Sequence, residues 1–252
     1  MREIPFDKML AVMETVSSGL RPLTVTEISG ATDLAVPTVH RLVALLVDRG
    51  LLKRHLATKK VMPGTRLMKL GVSAVQTSLY ADKPHALLKS LVTRIGEFAQ
   101  ISLVVDGELI CVDAASAHRE SGLHLQQGNK APLHCTSIGK LYLASLPEAE
   151  LRSWLRSVNL QRLTDQTMTD PSELRKHLKE IRARGWGSCN EEMHPGVVGC
   201  GVRLPLRHSS GFIGLCISAP AVRLNFKAIT GHIPMLRKAA VDIADIFDRR
   251  TT

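Results

Sequence analysis

The sequence has few of the features that stabilise secreted domains or anchor a chain in a membrane. Its five cysteines are odd in number and none forms a Cys-x-x-Cys pair, which argues against a disulfide framework or a structural zinc site. No apolar run approaches the roughly 20 residues of a membrane-spanning helix, and the first residues lack the apolar core of a signal peptide. The histidines show no metal-binding spacing. We therefore expect a cytoplasmic protein with no metal, no other cofactor and no membrane partner.

Positive charge is what the sequence has in excess. Its 252 residues carry 33 Lys and Arg against 23 Asp and Glu, a net charge of +10. The excess is uneven: residues 35–60 carry six basic side chains and one acidic, whereas residues 1–34 have a net charge of −2. Such a block indicates a surface that faces a polyanion, although a solvated helix end explains the charge alone equally well.

The first 50 residues show three helical segments. Apolar residues at helical spacing over 6–16 predict the first helix. Thr24-Val25-Thr26-Glu27 is a capping box, in which the first threonine and the glutamate satisfy each other's backbone amides, and it predicts the start of a short second helix. A third begins near Val36, with Pro37 in its first turn, where a missing N–H costs nothing. The apolar stripe of this third helix comprises Val39, Leu42, Val43 and Leu46.

A short basic hairpin follows, with strands predicted at residues 51–54 and 61–63. Three helices and such a hairpin make a winged helix-turn-helix, whose last helix enters the major groove of DNA. Arg41 would contact either a phosphate or a guanine edge, while the hairpin lysines and arginine would lie against phosphates. A three-helix protein-interaction domain is the alternative. The predicted DNA-binding residues are Thr26, Val36, Pro37, Thr38, His40, Arg41, Lys53, Arg54, Lys59 and Lys60.

Beyond residue 64 the pattern predicts a linker helix over 65–79 and then a mixed α+β domain. Asp106-Gly107 separates two β-rich runs, which is a strong hairpin signal. One uninterrupted amphipathic helix is predicted from about Phe226 to Arg249. This order of elements, with strands followed by helices, further strands and a terminal helix, is typical of an α+β sensor domain with one sheet. The predicted strands are Ile101–Val105, Glu108–Asp113, Val197–Leu206 and Phe212–Ser218, and the other predicted helices begin at Asp82, Thr136, Glu148 and Asp170.

In the last two predicted strands, apolar residues alternate with small or polar ones. The sheet therefore has one apolar face and one face of small and polar residues. The second face leaves room for a ligand and offers hydroxyl, thiol and guanidinium groups. A solvent-facing surface explains the alternation equally well. The small and polar face carries Gly199, Gly201 and Arg203 from one strand and Phe212, Gly214, Cys216 and Ser218 from the other.

Short motifs follow one another along nearly the whole chain. They include Thr38-Val39-His40-Arg41-Leu42, Pro132-Leu133-His134-Cys135-Thr136-Ser137-Ile138-Gly139-Lys140, Asn190-Glu191-Glu192 and Ile217-Ser218-Ala219-Pro220. In order and spacing they resemble the IclR family of bacterial one-component transcription regulators. The resemblance implies a winged-helix DNA-binding domain at 1–64, a linker helix used in dimerisation at 65–80, and a GAF-like effector domain with an antiparallel sheet at 81–252. The implied partners are double-stranded operator DNA, a small anionic metabolite, and further copies in a homodimer or homotetramer.

The resemblance also implies where the metabolite binds. Backbone amides at the start of the helix that follows Thr136 would receive its carboxylate, and a helix N-terminus favours anions. Near residue 190 two side chains remain rival candidates. From the alternation in the strand, rather than from the resemblance, Arg203 is expected to oppose the same charge. The wing departs from the family, because Val61-Met62-Pro63-Gly64 replaces the usual Tyr-x-Leu-Gly. The predicted effector-binding residues are Ser137, Ile138, Asn190, Glu191, Gly201, Arg203, Cys216 and Ser218.

Two other functions compete with a regulator. A hydrolase or transferase would use Ser137 or Cys135 beside His134, but the Gly-x-Ser-x-Gly elbow and a third catalytic residue are both missing from the sequence. A sequence-indifferent architectural protein would bind DNA almost purely through charge. We predict a regulator without enzymatic activity and assign no catalytic residue.

Overall fold

The computed structural model describes residues 5–19, 21–55, 58–80, 83–105, 107–117, 130–207 and 211–249. The chain forms two compact units, which separate within one helix near residue 75. The mixed α/β class predicted from the sequence is confirmed, with a helical N-terminal unit and a C-terminal unit built on an antiparallel sheet.

The N-terminal unit is the predicted winged helix-turn-helix. Its two short strands pair antiparallel, with Lys53 opposite Met62. The three helices bury their apolar stripes together with the first residue of each strand. The elements are α1 (Pro5–Ser18), α2 (Val25–Thr32), α3 (Val36–Asp48), β1 (Leu52–Arg54), β2 (Val61–Pro63) and the first part of α4 (Thr65–Tyr80).

Local chemistry sets the bounds of α2. The Thr24 hydroxyl accepts a hydrogen bond from the Glu27 amide, and the Glu27 carboxylate accepts one from the Thr24 amide at 2.7 Å. At the other end Asp33 adopts a left-handed conformation with φ of 53°, which stops the helix and starts the turn into α3. The capping box predicted from the sequence is therefore present.

The C-terminal unit contains one six-stranded antiparallel sheet with the strand order β5-β4-β3-β8-β7-β6. Two of these strands, β5 and β6, were not predicted from the sequence. The strands are β3 (Phe98–Val105), β4 (Glu108–Ser116), β5 (Lys130–Ala131), β6 (Gly187–Asn190), β7 (Val197–Arg203) and β8 (Phe212–Pro220). The helices are the end of α4, α5 (Lys83–Ile95), α6 (Ser137–Ser145), α7 (Glu148–Ser157), α8 (Pro171–Arg184), α9 (Phe226–Thr230) and α10 (Ile233–Arg249).

The strand register confirms the predicted division of the sheet into two faces. Gly201 lies opposite Cys216 on the face of small and polar residues, whereas Cys200 lies opposite Ile217 on the apolar face. Helices α5, α9 and α10 cover the apolar face, where the Cys200 thiol donates to the carbonyl of Ile229 in α9. Helix α6 covers part of the other face.

The prediction of one helix from Phe226 to Arg249 is wrong, because the helix breaks at residues 231–232. Pro234 lacks an N–H, and its ring would clash with the carbonyl of residue 230 in a continuous helix. Strand β7 ends at Arg203 rather than at Leu206, since Pro205 cannot donate to a ladder. The predicted cap at Asp82 and the turn residue Asp106 lie outside the described residues.

Within the described ranges, no single helix is long and apolar enough to cross a membrane. Helices α2 and α3 reach the required length and composition only together, and they are bent by 112° at their junction.

Candidate functional site

Helix α3 presents a polar outer face. Its stripe residues are buried, while His40 and Arg41 on the other side are exposed and Thr38 is half-buried. The helix begins with Ala35 as N-cap and Pro37 in the first turn, so no side-chain cap covers its N-terminal end. The exposed face is therefore available along the first two turns, as groove insertion requires.

The hairpin beside α3 is held in shape by its own basic residues. The Arg54 guanidinium donates to the carbonyl of Lys59 at 3.3 Å, which braces one arm of the hairpin against the other. Lys59 has a left-handed backbone with φ of 56° and an exposed side chain. Lys53 and Lys60 are half-buried. All four predicted phosphate-facing residues thus lie on one short element next to α3.

A basic groove that the sequence analysis missed runs between this hairpin and α4. Arg66 and Lys69 line it together with Lys53 and Arg54, and its volume is about 480 Å³. The groove depends on a close backbone approach, since a Cβ at Gly64 would lie 2.4 Å from the carbonyl oxygen of Gly50. The two additional cations begin the predicted linker helix, so the basic block extends beyond residue 60.

A cavity of about 450 Å³ lies on the small and polar face of the sheet, a size suited to a small metabolite. The sheet supplies its floor, the N-terminus of α6 one wall, and residues 193–198 another. Four of the eight predicted effector-binding residues line this cavity: Ser137, Ile138, Cys216 and Ser218.

The wall formed by α6 ends in uncapped amides. Thr136 is the N-cap, but its hydroxyl donates to the carbonyl of Pro132 at 2.8 Å and makes no cap bond. The N–H groups of the first turn have no carbonyl partner within a helix, so they concentrate positive charge at the cavity. Gly187 allows this placement, because a Cβ there would lie 1.9 Å from the carbonyl oxygen of Ser137.

The structure places the other four predicted residues outside the cavity lining. Helix α6 covers Gly201, where a Cβ would lie 2.5 Å from the Cδ1 of Ile138. Arg203 is exposed, with its guanidinium 5.1 Å from the ring centre of Phe212. The Glu191 carboxylate accepts a hydrogen bond from the Gly196 amide. Asn190, at the end of β6, is exposed.

Next to that segment the sequence analysis missed Glu192. Its carboxylate accepts hydrogen bonds from the fully buried Lys140 ammonium of α6, and the same ammonium lies 3.4 Å from His177 Nε2. Burial, followed by the charges of Lys140 and Arg184, lowers the pKa of His177 to about 4. His177 is therefore neutral at physiological pH, and its Nδ1 lies 3.7 Å from the Glu180 carboxylate on the side away from the ion pair.

A further polar group on the cavity floor was also missed. Gln100 of β3 is 5% exposed and lies opposite Cys216 of β8. Its Nε2 donates to the Ser102 hydroxyl at 3.1 Å, while its Oε1 has no hydrogen-bond partner in the described structure. A glutamine and a serine alternating with apolar residues in a strand were the signal in the sequence.

The geometry does not support the alternative of a hydrolase or transferase that uses a cysteine nucleophile. Burial raises the pKa of the Cys135 thiol to about 12, and the neighbouring His134 ring lies 3.0 Å from the carbonyl oxygen of Gln161. Burial likewise raises the pKa of Cys189, which lines the cavity. These thiols stay protonated, so they are not activated nucleophiles. No group of three potential ligands among the described side chains could hold a metal ion.

Two family models match the chain and together span most of it. Residues 6–55 match the IclR helix-turn-helix domain, and residues 74–245 match the C-terminal domain of the bacterial transcriptional regulator IclR. Among curated relatives, the probable transcriptional regulator SauR of Cupriavidus necator is 29% identical over 94% of both chains. The relatives are named as transcriptional regulators, in agreement with the prediction of a non-enzymatic protein.

Solved structures show the same fold. The Thermotoga maritima IclR is 25% identical, with a TM-score of 0.63 and coverage of 96% of this chain and 98% of that one. An IclR homologue from Microbacterium hydrocarbonoxydans complexed with 4-hydroxybenzoate is 24% identical, with a TM-score of 0.59 and coverage of 99% and 100%. At that identity the likeness concerns the fold.

Proposed function

The chain belongs to the IclR family of bacterial transcriptional regulators, and we propose that it binds a specific operator as a homodimer or homotetramer in the cytoplasm. The observation that carries the proposal is the exposed outer face of α3 beside a basic hairpin. A second binding event, of a small organic acid in the sheet cavity, would regulate operator affinity.

On DNA, the first two turns of α3 would lie in the major groove. Arg41 and His40 would reach base edges or phosphates from the exposed face, and Thr38 would lie beside them near the start of the helix. The hairpin and the adjoining groove would follow the phosphate backbone, which supplies affinity without sequence preference. The predicted contacts are Thr26, Val36, Pro37, Thr38, His40 and Arg41 on the helix-turn-helix, and Lys53, Arg54, Lys59 and Lys60 on the hairpin.

Selection of bound duplexes from a randomised DNA pool by the full-length protein tests this proposal. We expect an inverted repeat whose half-sites are spaced by about one helical turn, or a multiple of it. Recovery of duplexes without any shared sequence would instead support the architectural alternative, in which charge alone holds the DNA.

In the cavity, the carboxylate of the effector would bind the amides of Ser137 and Ile138 at the start of α6. A helix N-terminus carries about half a positive charge, and the enclosed site weakens competition from water. Cys216 and Ser218 would contact the rest of the molecule from the floor. Titration calorimetry of the full-length protein against small carboxylic acids tests this step, and the matching primary amides, which lack the negative charge, serve as controls.

Dimerisation would use the linker helix α4. Leu70 in this helix is 57% exposed and is therefore available to pack against a partner helix. We propose the division 1–64, 65–80 and 81–252 for DNA binding, dimerisation and effector binding. Light scattering during gel filtration tests it: Leu70→Lys should yield a smaller species than the wild type.

Regulation requires that the acid bind unequally to the DNA-bound and free forms. A coupling of about 1–3 kcal/mol gives a useful switch and changes operator affinity by roughly 5-fold to 150-fold. Operator titrations with and without a saturating acid measure this coupling directly. An acid that binds the cavity without changing operator affinity would be a ligand but not an effector.

A further inference from the structure

The cavity floor contains a buried acceptor atom that lacks a partner. Gln100 Oε1 makes no hydrogen bond within the described structure, although the side chain is almost fully buried and lines the cavity. The other end of the same amide is fixed by the Ser102 hydroxyl. Buried acceptors without a partner are rare and costly, and one that belongs to a cavity-lining side chain is a position that a ligand's donor can satisfy.

Gln100 lies within reach of the site proposed for the carboxylate. Cross-strand pairing sets it opposite Cys216, and residues opposite one another in a sheet are about 5 Å apart. Gln100, Ser137 and Cys216 all line the cavity, and burial raises the pKa of the Cys216 thiol. A single small molecule bound there can therefore reach both the start of α6 and Gln100.

We propose that Gln100 Oε1 accepts a hydrogen bond from a hydroxyl or N–H group of the organic acid bound in this cavity. The effector class is then a carboxylic acid that carries a donor, and Gln100 determines that specificity. This inference rests on the proposed function of the cavity as an organic-acid site. It adds the requirement that the ligand carry a hydrogen-bond donor at the end opposite its carboxylate, which binds at the start of α6.

Matched acids test the requirement in the full-length wild-type protein. One series is 4-hydroxybenzoate, 4-aminobenzoate, 4-methoxybenzoate and benzoate; a shorter one is 3-hydroxybutyrate, 3-methoxybutyrate and butyrate. The methoxy acids keep an oxygen acceptor but cannot donate. In titration calorimetry we expect a donor acid to bind at least about tenfold more tightly than its methoxy and unsubstituted counterparts, because those leave the buried acceptor unpaired. The hydroxy and amino acids separate the two kinds of donor.

Gln100→Met then assigns the preference to this residue. The substitution replaces the amide by an apolar group of similar length, so the donor preference should fall to about threefold or less. Gln166→Met, at an exposed glutamine, is the matched control and should retain the full preference. If Gln100→Met does not fold, equal binding of donor and methoxy acids to the wild type still overturns the proposal.

The outcomes distinguish failure of the role proposed for Gln100 from failure of the proposed organic-acid site. Equal binding of donor and methoxy acids to the wild type, or a preference that persists in Gln100→Met, overturns the role of Gln100 and leaves the organic-acid site standing. Failure of every acid in both series to bind the wild type overturns the organic-acid site and, with it, this inference.

Discussion

The ammonium of Lys140 lies 2.5 Å from each carboxylate oxygen of Glu192, and both side chains are buried. The pair connects α6 to the turn that follows β6. That turn continues into Met193 and His194, which line the cavity opposite the start of α6. The ion pair therefore holds two walls of the proposed ligand site at a fixed separation.

Removing one member of this pair should destabilise the protein strongly. Lys140→Met leaves the Glu192 carboxylate buried without its cation, which costs about 3–5 kcal/mol in the free energy of unfolding. Urea denaturation followed by circular dichroism measures the loss. The Glu192→Leu change, added to Lys140→Met, should recover much of it because no unpaired charge then remains.

An exposed ion pair provides the control for that experiment. Lys238 and Asp242 lie 3.0 Å apart on α10 with side chains 74% and 42% exposed. Lys238→Met should therefore cost less than about 1 kcal/mol. Similar losses for Lys238→Met and Lys140→Met would contradict the role given to burial.

Alanine substitutions at two glycines should change the stability of the protein in opposite directions. A Cβ at Gly187 would lie 1.9 Å from a backbone carbonyl of α6, so Gly187→Ala must displace that helix and should cost at least about 3 kcal/mol. At Gly30, inside α2, a Cβ would meet nothing within 4 Å. Gly30→Ala should instead stabilise the protein by about 0.5–1 kcal/mol. Thermal unfolding of both variants checks the opposite signs.

The features that the sequence predicted well are the locally determined ones. The buried stripe of α3, the capping box at Thr24 and the two faces of β7 and β8 each follow from residues within a few positions of one another. The break before Pro234 was equally readable, but the strong amphipathic pattern on both sides outweighed it in the prediction.

The cavity could not be assembled from the sequence, because it depends on distant contacts. Lys140 and Glu192 are 52 residues apart, and no local pattern pairs them. Glu191 has a left-handed backbone with φ of 58°, which turns the chain so that Glu192, rather than its neighbours, faces inward. The strand register, not the alternation alone, shows that α6 covers Gly201 and leaves the space beside Ser218 open.

Arg41→Ala should weaken operator binding while leaving acid binding unchanged. If Arg41 reaches a guanine edge, the loss is about 1–3 kcal/mol on the selected site and the preference at one base position relaxes. If it contacts a phosphate, affinity falls on every sequence, and the salt dependence of log K decreases by about one unit. Fluorescence anisotropy at several salt concentrations distinguishes the two.

The control for Arg41 is Lys179→Ala, which removes an exposed cation from α8 in the other unit. It changes the net charge by the same amount, so it should leave operator affinity within about twofold. Equal losses for the two variants would mean that overall charge, and not the face of α3, holds the DNA.

Ser218→Ala should have the reverse effect on the two functions. The hydroxyl lines the cavity floor, so its loss should weaken binding of the tightest acid by about 0.5–1.5 kcal/mol without changing operator affinity in the absence of acid. Ser153→Ala, at an exposed serine of α7, is the control. If Ser218→Ala and Arg41→Ala each impair both functions equally, the proposed division between the domains is incorrect.

The pH dependence of the free energy of unfolding should show that the pKa of His177 is lowered in the folded protein. Burial and the nearby cations Lys140 and Arg184 lower its pKa to about 4, with Glu180 acting in the opposite direction. In the unfolded chain the pKa is about 6.5, so between these values the unfolded state binds more protons than the native state. Stability contributed by this group is therefore complete above pH 6.5 and is lost as the pH falls towards 4.

His177→Gln removes the titration and keeps a polar side chain beside the ion pair. The wild type should lose about 2 kcal/mol more than the variant in the free energy of unfolding between pH 8 and pH 5, as measured by urea denaturation at each pH. Other groups, including the buried Asp113 whose pKa is raised by burial, titrate in both proteins and cancel in the difference. Parallel pH profiles for the two proteins would show that His177 titrates normally in the folded state and is not held neutral beside Lys140.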